Sequence, residues 1–510
     1  MSGVRDVAEL VGAAAAEEPD RLALVETGGR RRTWAELEDE VARTATGLGR
    51  EGVVGGQRVL VAVGNRIEFV TTYLGVLRAQ AVAVPVNPLS TVDELGRMLE
   101  DSGARVAVAD AGTAGAVRAA AQALAAPPRV VVVGEASYDE LLDVEPRPVP
   151  PLQDPEKLAA LLYTSGTSGR PRAAMLTHRA LLANVDQVAQ VEPPMVARED
   201  VVLGVLPLFH VYGLNAVLGA VLRHRAVLVL VERFDPHRTP DVVAAERCTV
   251  LPVAPPVFAY WADEPELAER LRSVRVVLSG SAPLSAQACE QFTARTGIPV
   301  HQGYGLTEAA PVVTSTLCSA HPRPGSVGAA LPGVGLRLVD EGGRAPEGDD
   351  VGEIQVRGAN LFSGYWPDGD GGPDAEGWWS TGDVGFLDED GDLFLVDRLK
   401  ELVIVSGFNV YPTEVEDVVA EVPGVEDVGV IGVEDPQTGE AVVAYMRAQA
   451  SADPAALVMA VREHCAARLA RFKQPSRVEV VDELPRTVTG KVQKGRLRTI
   501  ERRRALGLLE

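Results

Sequence analysis

Short apolar runs alternate with amphipathic segments along the first part of the chain. The runs Val59–Val63, Ala81–Val86 and Val106–Ala109 contain no charged residue, as is typical of strands buried on both faces of a sheet. Helical periodicity separates them, and Thr33 with Glu36 forms a capping-box sequence at the start of one such segment. This alternation predicts a doubly wound α/β layer built on a parallel sheet.

The same alternation continues beyond residue 200. The expected strands there are Val201–Leu206, Ala226–Val231, Val250–Val253 and Val274–Leu278. The stretch Val201–Leu222 has no Asp, Glu, Lys or Arg and is long enough to span a bilayer. Because Pro207 divides it into a strand-like and a helix-like half, we expect a buried strand, turn and helix beside an apolar pocket.

The pattern changes in residues 325–397, where Gly, Pro and Asp are frequent and strands such as Gly352–Val356 are short and alternating. These residues predict a small β-barrel or antiparallel subdomain at the end of a large N-terminal domain, 1–397. Residues 398–510 combine helical and strand patterns with a basic tail, which predicts a small α+β C-terminal domain. The fold class is therefore α/β, with a β-rich subdomain and a second, smaller domain.

Composition indicates a large globular protein. The 510 residues are 46% hydrophobic and 24% charged, which is enough for two or more cores. A formal net charge of −22 argues against a nucleic-acid partner. The four cysteines are widely spaced and the first residues lack an apolar signal sequence, so we expect a cytoplasmic protein without a zinc site or transmembrane segment. The sequence leaves a homo-oligomer open.

One stretch, residues 158–172, carries the clearest candidate chemistry. The apolar run Leu158–Tyr163 predicts a buried strand that ends in six small residues, Thr164–Gly169, four of which carry hydroxyls. Backbone N–H groups and hydroxyls in such a turn can surround a phosphate, and Arg170 and Arg172 add positive charge. The stretch is not a Walker A sequence. A plain solvated turn is the alternative, which the preceding strand and the following arginines disfavour.

Seven short motifs follow one another from residue 163 to residue 491. In chain order they are Tyr163–Arg172 (YTSGTSGRPR), Gly280–Pro283 (GSAP), Gln302–Glu308 (QGYGLTE), Ser380–Asp383 (STGD), Asp397–Lys400 (DRLK), Ser406–Pro412 (SGFNVYP) and Pro485–Lys491 (PRTVTGK). In this order they resemble the AMP-forming acyl- and aryl-adenylating enzymes, which include acyl-CoA synthetases, firefly-type luciferases and peptide-synthetase adenylation domains. The resemblance covers essentially the whole chain.

The resemblance implies a ligase that works in two steps. A carboxylic acid would attack the α-phosphate of ATP to give acyl-AMP and pyrophosphate, and coenzyme A would then take the acyl group and release AMP. ATP, Mg²⁺ and coenzyme A are thus implied. Two alternatives stay open. A ligase that loads a carrier protein is disfavoured by the compact interval between Glu308 and Asp383, and a catalytically silent homologue by the retention of these two residues and Lys491.

The resemblance also assigns residues to the phosphates of ATP. Those that would hold the β- and γ-phosphates are Thr164, Ser165, Gly166, Thr167, Ser168 and Gly169. Arg172 would add charge at the end of the loop, where the family commonly has lysine followed by glycine. Glu308, together with Thr164, would bind Mg²⁺, which prefers hard oxygen ligands. Thr307 would hydrogen-bond the α-phosphate.

The nucleoside is assigned to two further groups of residues. Adenine would stack on Tyr304, which Gly305 follows, and the opposite wall would be Gly280, Ser281 and Ala282. Asp383 would accept hydrogen bonds from the ribose hydroxyls, and Arg398 would donate to the ribose or the phosphates. The alternatives are an ordinary turn aspartate at 383 and a core tyrosine at 304.

The C-terminal domain is implied to serve both steps. Lys491 would bridge the acid's carboxylate and the α-phosphate, and Gly407 would let the pantetheine arm of coenzyme A pass. Because Lys491 and Gly407 lie on different parts of the domain, a single fixed position of the domain is not expected to bring each of them to the substrate in its own step. We therefore expect a mobile domain that pivots at Lys400.

The acid is indicated by residues near His210 and Gly303. His210, assigned to the catalytic site, stands about where amino-acid-activating relatives usually carry an aspartate. Gly303 stands where malonate-activating relatives carry an arginine, so no cation is present for a second carboxylate. An apolar lining is expected from Val211, Leu214, Val217, Leu218, Val253, Val257 and Phe258. These features predict a medium- or long-chain fatty acid, with an aryl or dicarboxylic acid as the alternative.

Overall fold

The computed structural model describes residues 4–164, 172–282, 284–340, 342–346, 351–398, 401–405, 408–435, 438–487 and 490–505. They form two compact units. The first combines the described residues up to 164 with 172–335 and 357–379, and the second combines those within 336–356 and 380–505. The units are thus interleaved along the chain, and the expected single boundary at residue 398 stays a prediction.

The strands, in chain order, are β1 (Leu22–Glu26), β2 (Arg31–Thr33), β3 (Arg58–Ala62), β4 (Val82–Pro85), β5 (Val106–Ala109), β6 (Arg129–Val132), β7 (Leu158–Thr164), β8 (Arg172–Thr177), β9 (Val201–Gly204), β10 (Val227–Leu230), β11 (Val250–Val253), β12 (Val276–Ser279), β13 (Val300–Gln302), β14 (Thr314–Ser315), β15 (Ala329–Ala330), β16 (Gly335–Val339), β17 (Gly352–Arg357), β18 (Trp378–Leu387), β19 (Leu393–Arg398), β20 (Val403–Val405), β21 (Phe408–Val410), β22 (Val425–Asp435), β23 (Gly439–Ala448) and β24 (Arg477–Val480).

The α-helices are α1 (Glu9–Glu17), α2 (Trp34–Arg50), α3 (Ile67–Arg78), α4 (Val92–Ser102), α5 (Ala114–Gln122), α6 (Ala136–Leu142), α7 (His178–Val188), α8 (Ala220–His224), α9 (Arg238–Glu246), α10 (Pro256–Trp261), α11 (Leu267–Arg270), α12 (Ala286–Thr296), α13 (Pro412–Ala420), α14 (Pro454–Arg468) and α15 (Lys494–Ala505). A π-helical segment, Tyr212–Gly219, leads into α8, and 3₁₀ turns occupy Thr307–Ala309, Thr316–Cys318 and Arg471–Lys473.

Two doubly wound sheets form the first unit, as the alternating pattern predicts. One has the order β6-β5-β3-β4-β7-β8 and the other β13-β12-β11-β9-β10-β1-β2. Neighbouring strands run parallel except at one edge of each sheet, where β8 pairs antiparallel with β7 and β2 with β1. Valine and alanine side chains of the central strands are fully buried. The expected capping box is confirmed, because Thr33 and Glu36 cap α2 reciprocally.

The uncharged stretch Val201–Leu222 folds as β9, a loop, the π-helical segment and the start of α8. The structure therefore confirms a strand, turn and helix here, although the helix begins with π geometry. Among the described residues, no helix combines the length and the apolar character needed to cross a membrane.

In the described residues, the β-rich part of the second unit is not the small barrel, which was one of the two predicted alternatives. Its described strands form a four-stranded sheet in the order β16-β17-β18-β19, with β16 and β19 at the edges. Four strands of five to ten residues are too few to close around an interior filled by side chains.

The rest of this unit is a sheet covered by helices. Its sheet has the order β21-β20-β23-β22, and β24 pairs parallel with β23. Helices α13 and α14 pack on one face of the sheet, with Val415 and Val461 fully buried, and α15 packs on the other through Leu497. The small α+β fold expected for the C-terminal residues is therefore present.

Candidate active site

The predicted phosphate loop connects two paired strands of the first unit. Thr164 at the end of β7 and Arg172 at the start of β8 are directly opposite each other in the antiparallel ladder, and the Thr164 hydroxyl donates to the carbonyl of Arg172 at 3.3 Å. The preceding residue, Tyr163, donates its phenol to Asp101 at 2.6 Å, which anchors β7 to the end of α4. Residues 165–169, which include the predicted Ser165, Gly166, Thr167, Ser168 and Gly169, lie outside the described residues.

A segment from a distant part of the chain supports β8. The backbone N–H of Ser363 donates to the carbonyl of Met175 at 3.0 Å, and that of Trp366 to the carbonyl of Ala173 at 2.9 Å. This pairing places the ring of Tyr365 beneath Arg172, whose guanidinium carbon lies 3.9 Å from the ring centroid. Arg172 therefore rests on an aromatic face, which suits a planar guanidinium better than an ammonium.

The same segment holds Glu308. Its carboxylate, only 8% exposed, accepts a hydrogen bond from the phenol of Tyr365 at 2.7 Å. The backbone N–H of Phe362 donates to the carbonyl of Glu308 at 2.9 Å, and the Asn360 side chain donates to the carbonyl of Ala309 at 2.7 Å. Burial and the neighbouring Glu308 carboxylate raise the pKa of Tyr365, so the phenol keeps its proton and acts as the donor.

The residues around Glu308 fit Mg²⁺ better than a metal that needs a full protein cage. Among the described residues, no group of three or more His, Cys, Asp or Glu is arranged to enclose a metal ion. Mg²⁺ typically takes one or two carboxylates and completes its shell with water and substrate phosphates. A single buried carboxylate in a fixed orientation, on the same unit as Thr164, matches that requirement.

The predicted adenine residues follow neighbouring strands. β12 and β13 run parallel with Ser279 opposite Gln302, so Gly280–Ala282 and Tyr304–Gly305 emerge at the same edge of the sheet, where ligands bind in open α/β sheets. Tyr304 is 7% exposed. A Cβ at Gly305 would lie 2.4 Å from the carbonyl oxygen of Pro311, which explains why only glycine fits there.

His210 and Tyr212 reach this edge from the loop that enters the π-helical segment. The backbone N–H of Tyr212 donates to His210 Nδ1 at 3.3 Å, which assigns the ring proton of a neutral imidazole to Nε2. The Tyr212 phenol donates to the carbonyl of Leu278 at 3.3 Å, and its ring lies 3.1 Å from the position of a Cβ at Gly280. Burial raises the pKa of Tyr212.

Two predicted site residues belong to the second unit. Asp383 on β18 is 9% exposed and pairs in register with Arg398 on β19. Lys491 is exposed and closes a turn in which its carbonyl accepts from the backbone N–H of Thr487 at 2.8 Å. Its own N–H donates to the Thr487 hydroxyl at 3.1 Å. The side chain of Arg398 and both Lys400 and Gly407 lie outside the described part of the chain.

The structure also separates the expected apolar lining into two groups. Val211, Leu214, Val217 and Leu218 are buried in or beside the π-helical segment. Val253, Val257 and Phe258 instead belong to a core cluster, where Phe258 packs edge-to-face on Phe292 at 5.2 Å.

Sequence reasoning missed Tyr212 and Tyr365. Tyr212 stands two residues after His210, within the stretch Pro207–Gly213 that was interpreted as the substrate side, but it was given no role of its own. Tyr365 lies in a Gly- and Asp-rich region without an assigned motif. Its Gly-Tyr-Trp sequence was the available signal.

Comparison with known proteins decides the family. A model described as "AMP-binding enzyme" matches residues 11–366, and one described as "AMP-binding enzyme C-terminal domain" matches residues 414–491. The chain belongs to the AMP-binding enzyme family. The predicted resemblance is thereby confirmed.

Individual members of the family are similar over nearly their whole length. A 4-coumarate–CoA ligase of Oryza sativa subsp. japonica is 35% identical, covering 92% of this chain and 87% of the relative. A long-chain-fatty-acid–CoA ligase of Bacillus subtilis (strain 168) is 31% identical, covering 95% and 92%. The crystal structure of ATP-bound MatB from Rhodopseudomonas palustris superposes with a TM-score of 0.90, at 33% identity and 98% and 99% coverage.

These similarities show what the AMP-binding enzyme does at a coarse level. It is an acid–thiol ligase that joins an acyl or aryl acid to coenzyme A through an adenylate, with ATP and coenzyme A as substrates. The relatives differ in the acid they activate, so the family alone does not name the acid.

Proposed function

We propose that the enzyme activates an apolar monocarboxylic acid, first of all a medium- or long-chain fatty acid. The acid and ATP give acyl-AMP and pyrophosphate, and coenzyme A then gives acyl-CoA and AMP. The observation that carries this proposal is the environment of Gly303. A Cβ there would lie 2.7 Å from the carbonyl oxygen of Thr314, so the position has no room for a side chain that could pair with a second carboxylate.

The apolar surroundings of Tyr212 support the same conclusion. Three side chains of the π-helical segment, Leu214, Val217 and Leu218, are at most 1% exposed. We propose that the acyl chain extends from His210 along this segment and that Tyr212 bounds its site beside Gly280. Each buried CH₂ contributes roughly 0.8 kcal/mol, which favours longer chains.

ATP is proposed to bind at the strand ends of the first unit. The phosphates are placed in the loop after Thr164, with Thr307 on the α-phosphate and Arg172 at the far end of the loop. Adenine is placed between Tyr304 and Gly280–Ala282. Asp383 and Arg398, opposite each other on β18 and β19, are proposed to hold the ribose.

Mg²⁺ is proposed to be held by Glu308 and Thr164. When bound, the ion would neutralise negative charge on the phosphates during the first step. The chain's own contribution is a buried carboxylate that accepts a hydrogen bond from Tyr365, on a backbone whose carbonyls accept from Phe362 and Asn360. A charged group already held in the fold is the preorganisation on which charge stabilisation depends.

Residues 398–510 are proposed to act as the mobile domain. Lys491 would serve acyl-AMP formation, and Gly407 would lie beside coenzyme A in the second step, with Lys400 as the pivot. The exposure of Lys491 supports this role, because a group that must approach and leave a substrate cannot be sealed in a core.

An aryl acid is the second candidate. The 4-coumarate–CoA ligase relative, at 35% identity, favours it. The buried phenol of Tyr212 also supplies an aromatic ring on which an aryl group could pack.

A panel of acids measured as ATP–pyrophosphate exchange, with and without coenzyme A, tests the proposal. Turnover should rise from acetate to at least an acid of about eight carbons, by about fourfold in kcat/KM per CH₂ if each is fully buried. Coenzyme A should be needed for AMP release. Preference for 4-coumarate would favour the aryl alternative. Preference for malonate or an amino acid would overturn the argument from Gly303, and a requirement for a carrier protein would overturn the coenzyme A step.

A further inference from the structure

We propose that Tyr365 is a positioning residue for the first half-reaction: its phenol fixes the direction of the Glu308 carboxylate. The inference rests on the metal-binding role proposed above for Glu308. Its basis is the hydrogen bond of 2.7 Å from the phenol to Oε1 of Glu308, made between groups that are 57 residues apart and mostly buried.

The ring of Tyr365 is itself fixed on several sides. Its backbone N–H donates to the carbonyl of Asp370 at 3.0 Å. Phe362 packs edge-to-face on the ring, with centroids 5.0 Å apart and an interplanar angle of 76°. A Cβ at Gly371 would already lie 3.3 Å from the ring, and the guanidinium of Arg172 covers a face at 3.9 Å. A donor held this firmly can determine the orientation of its acceptor.

The consequence for Glu308 is chemical as well as geometric. When Oε1 of a carboxylate accepts a hydrogen bond, Oε2 points in a defined direction. Metal-ligating carboxylates are typically oriented by such a hydrogen bond from a neighbouring residue. The phenol also joins Glu308 to the end of the phosphate loop, because the same ring carries Arg172. Tyr365 therefore couples the proposed metal ligand to the proposed phosphate loop.

The competing explanation is that Tyr365 only fills the core. Tyr365→Phe separates the two, since it keeps the ring, its packing and its contact with Arg172, and removes only the O–H group. A matched control is Tyr445→Phe, which removes a hydrogen bond from a tyrosine to Glu501 in the second unit, where no metal ligand is proposed.

Metal affinity is the deciding measurement, because it should not change if Tyr365 only fills space in the core. Binding of Mn²⁺ to the enzyme with a non-hydrolysable ATP analogue can be followed by electron paramagnetic resonance, together with the Mg²⁺ dependence of ATP–pyrophosphate exchange. We expect Tyr365→Phe to weaken Mn²⁺ binding on the order of 10-fold, as loss of a partner of a metal ligand typically does. The thermal midpoint of the nucleotide-free enzyme should change no more than for Tyr445→Phe.

Two further variants keep the result interpretable. Tyr365→4-aminophenylalanine retains a ring and an N–H donor and should restore most of the affinity, including in the event that Tyr365→Phe folds poorly. Glu308→Gln tests the underlying role of the carboxylate and should weaken Mn²⁺ binding at least as much as Tyr365→Phe.

The outcomes are distinct. If Glu308→Gln weakens Mn²⁺ binding and Tyr365→Phe leaves it unchanged, the positioning role is overturned while the proposed function stands. If neither variant changes it, the metal role of Glu308 fails as well. Equal weakening by Tyr365→Phe and Tyr445→Phe would show a general loss of structure and would also overturn the inference.

Discussion

Glu308 and Lys491, the two charged residues on which the proposed first step depends most, are held in opposite ways. Glu308 is 8% exposed, and its carboxylate and neighbouring backbone carbonyls receive hydrogen bonds from three residues of one distant segment. Lys491 is exposed, and its backbone exchanges hydrogen bonds with Thr487. If both residues act as proposed, the metal-binding carboxylate of Glu308 is already held in the fold, whereas the ammonium of Lys491 has to be brought to the substrate.

The largest effect on activity is expected when the ammonium group of Lys491 is removed. Lys491→Ala should lower acyl-AMP formation by roughly 10²–10³-fold, because one preorganised charged donor typically contributes that much. Conversion of supplied acyl-AMP to acyl-CoA should continue. Single-turnover assays of each half-reaction measure both values, and equal loss of the two steps would contradict a role confined to adenylation.

A smaller effect, confined to the other step, is expected from restricting the proposed pivot. Lys400→Pro fixes φ near roughly −65° and removes a donor, so ATP–pyrophosphate exchange should persist while coenzyme A-dependent turnover falls by about tenfold or more. Lys400→Ala is the control, because it removes the side chain but leaves the backbone free, and should keep both activities. Survival of both half-reactions in Lys400→Pro would place the pivot elsewhere.

The rigidity of the first unit near the candidate site can be tested by measuring the stability of a Gly303 variant. Gly303→Ala places a Cβ 2.7 Å from a backbone carbonyl oxygen, and such overpacking typically costs about 1–3 kcal/mol. Gly96→Ala on α4 is the matched control, because a Cβ there meets nothing within 4 Å and alanine favours the helix. Thermal unfolding should show a lower midpoint for Gly303→Ala alone. Equal midpoints would mean that the strand end adapts freely and is not rigid.

The smallest effect is expected at Asp6 and His178, two buried residues of the first unit to which no ligand is assigned. Nδ1 of His178 lies 3.4 Å from Oδ1 of Asp6. Burial raises the pKa of Asp6 to about 7 and lowers that of His178 to about 4. The folded state therefore holds a proton on Asp6 that the unfolded chain releases, so this residue makes stability fall as pH rises from about 4 to about 7. His178 acts oppositely between about pH 4 and 6.5, because the unfolded chain binds the proton.

Asp6→Asn removes the first of these opposing contributions. The thermal midpoint should then rise more steeply between about pH 4.5 and 6.5 than in the unaltered enzyme, with ATP–pyrophosphate exchange at neutral pH unchanged. A midpoint profile parallel to that of the unaltered enzyme would show that Asp6 is ionised in the folded state.

Local pattern was enough to predict much of the fold. Uncharged valine and alanine runs identified the parallel strands, since only strands buried on both faces can lack polar residues throughout. Thr33 and Glu36 predicted a helix start because both partners of a capping box are close in sequence. The ordered motifs likewise predicted the family.

Contacts between distant segments were beyond such reasoning. The pairing of residues 363–366 with β8 brings together residues that are almost 200 positions apart, and neither partner has a pattern that names the other. The bond between Tyr365 and Glu308 depends on this pairing. The π-helical geometry of Tyr212–Gly219 was also unpredictable, because the apolar periodicity of so short a segment does not distinguish a π-helix from an α-helix.

In the proposed reaction, the enzyme forms the adenylate of an apolar monocarboxylic acid and passes the acyl group to coenzyme A. The most direct test is a single-turnover reaction of the enzyme with octanoate and Mg²⁺–ATP, analysed by mass spectrometry before and after coenzyme A is added. We predict enzyme-bound octanoyl-AMP in the first phase and octanoyl-CoA with an equal amount of AMP in the second. No octanoyl-AMP under conditions where malonate or an amino acid yields its adenylate would contradict the claim.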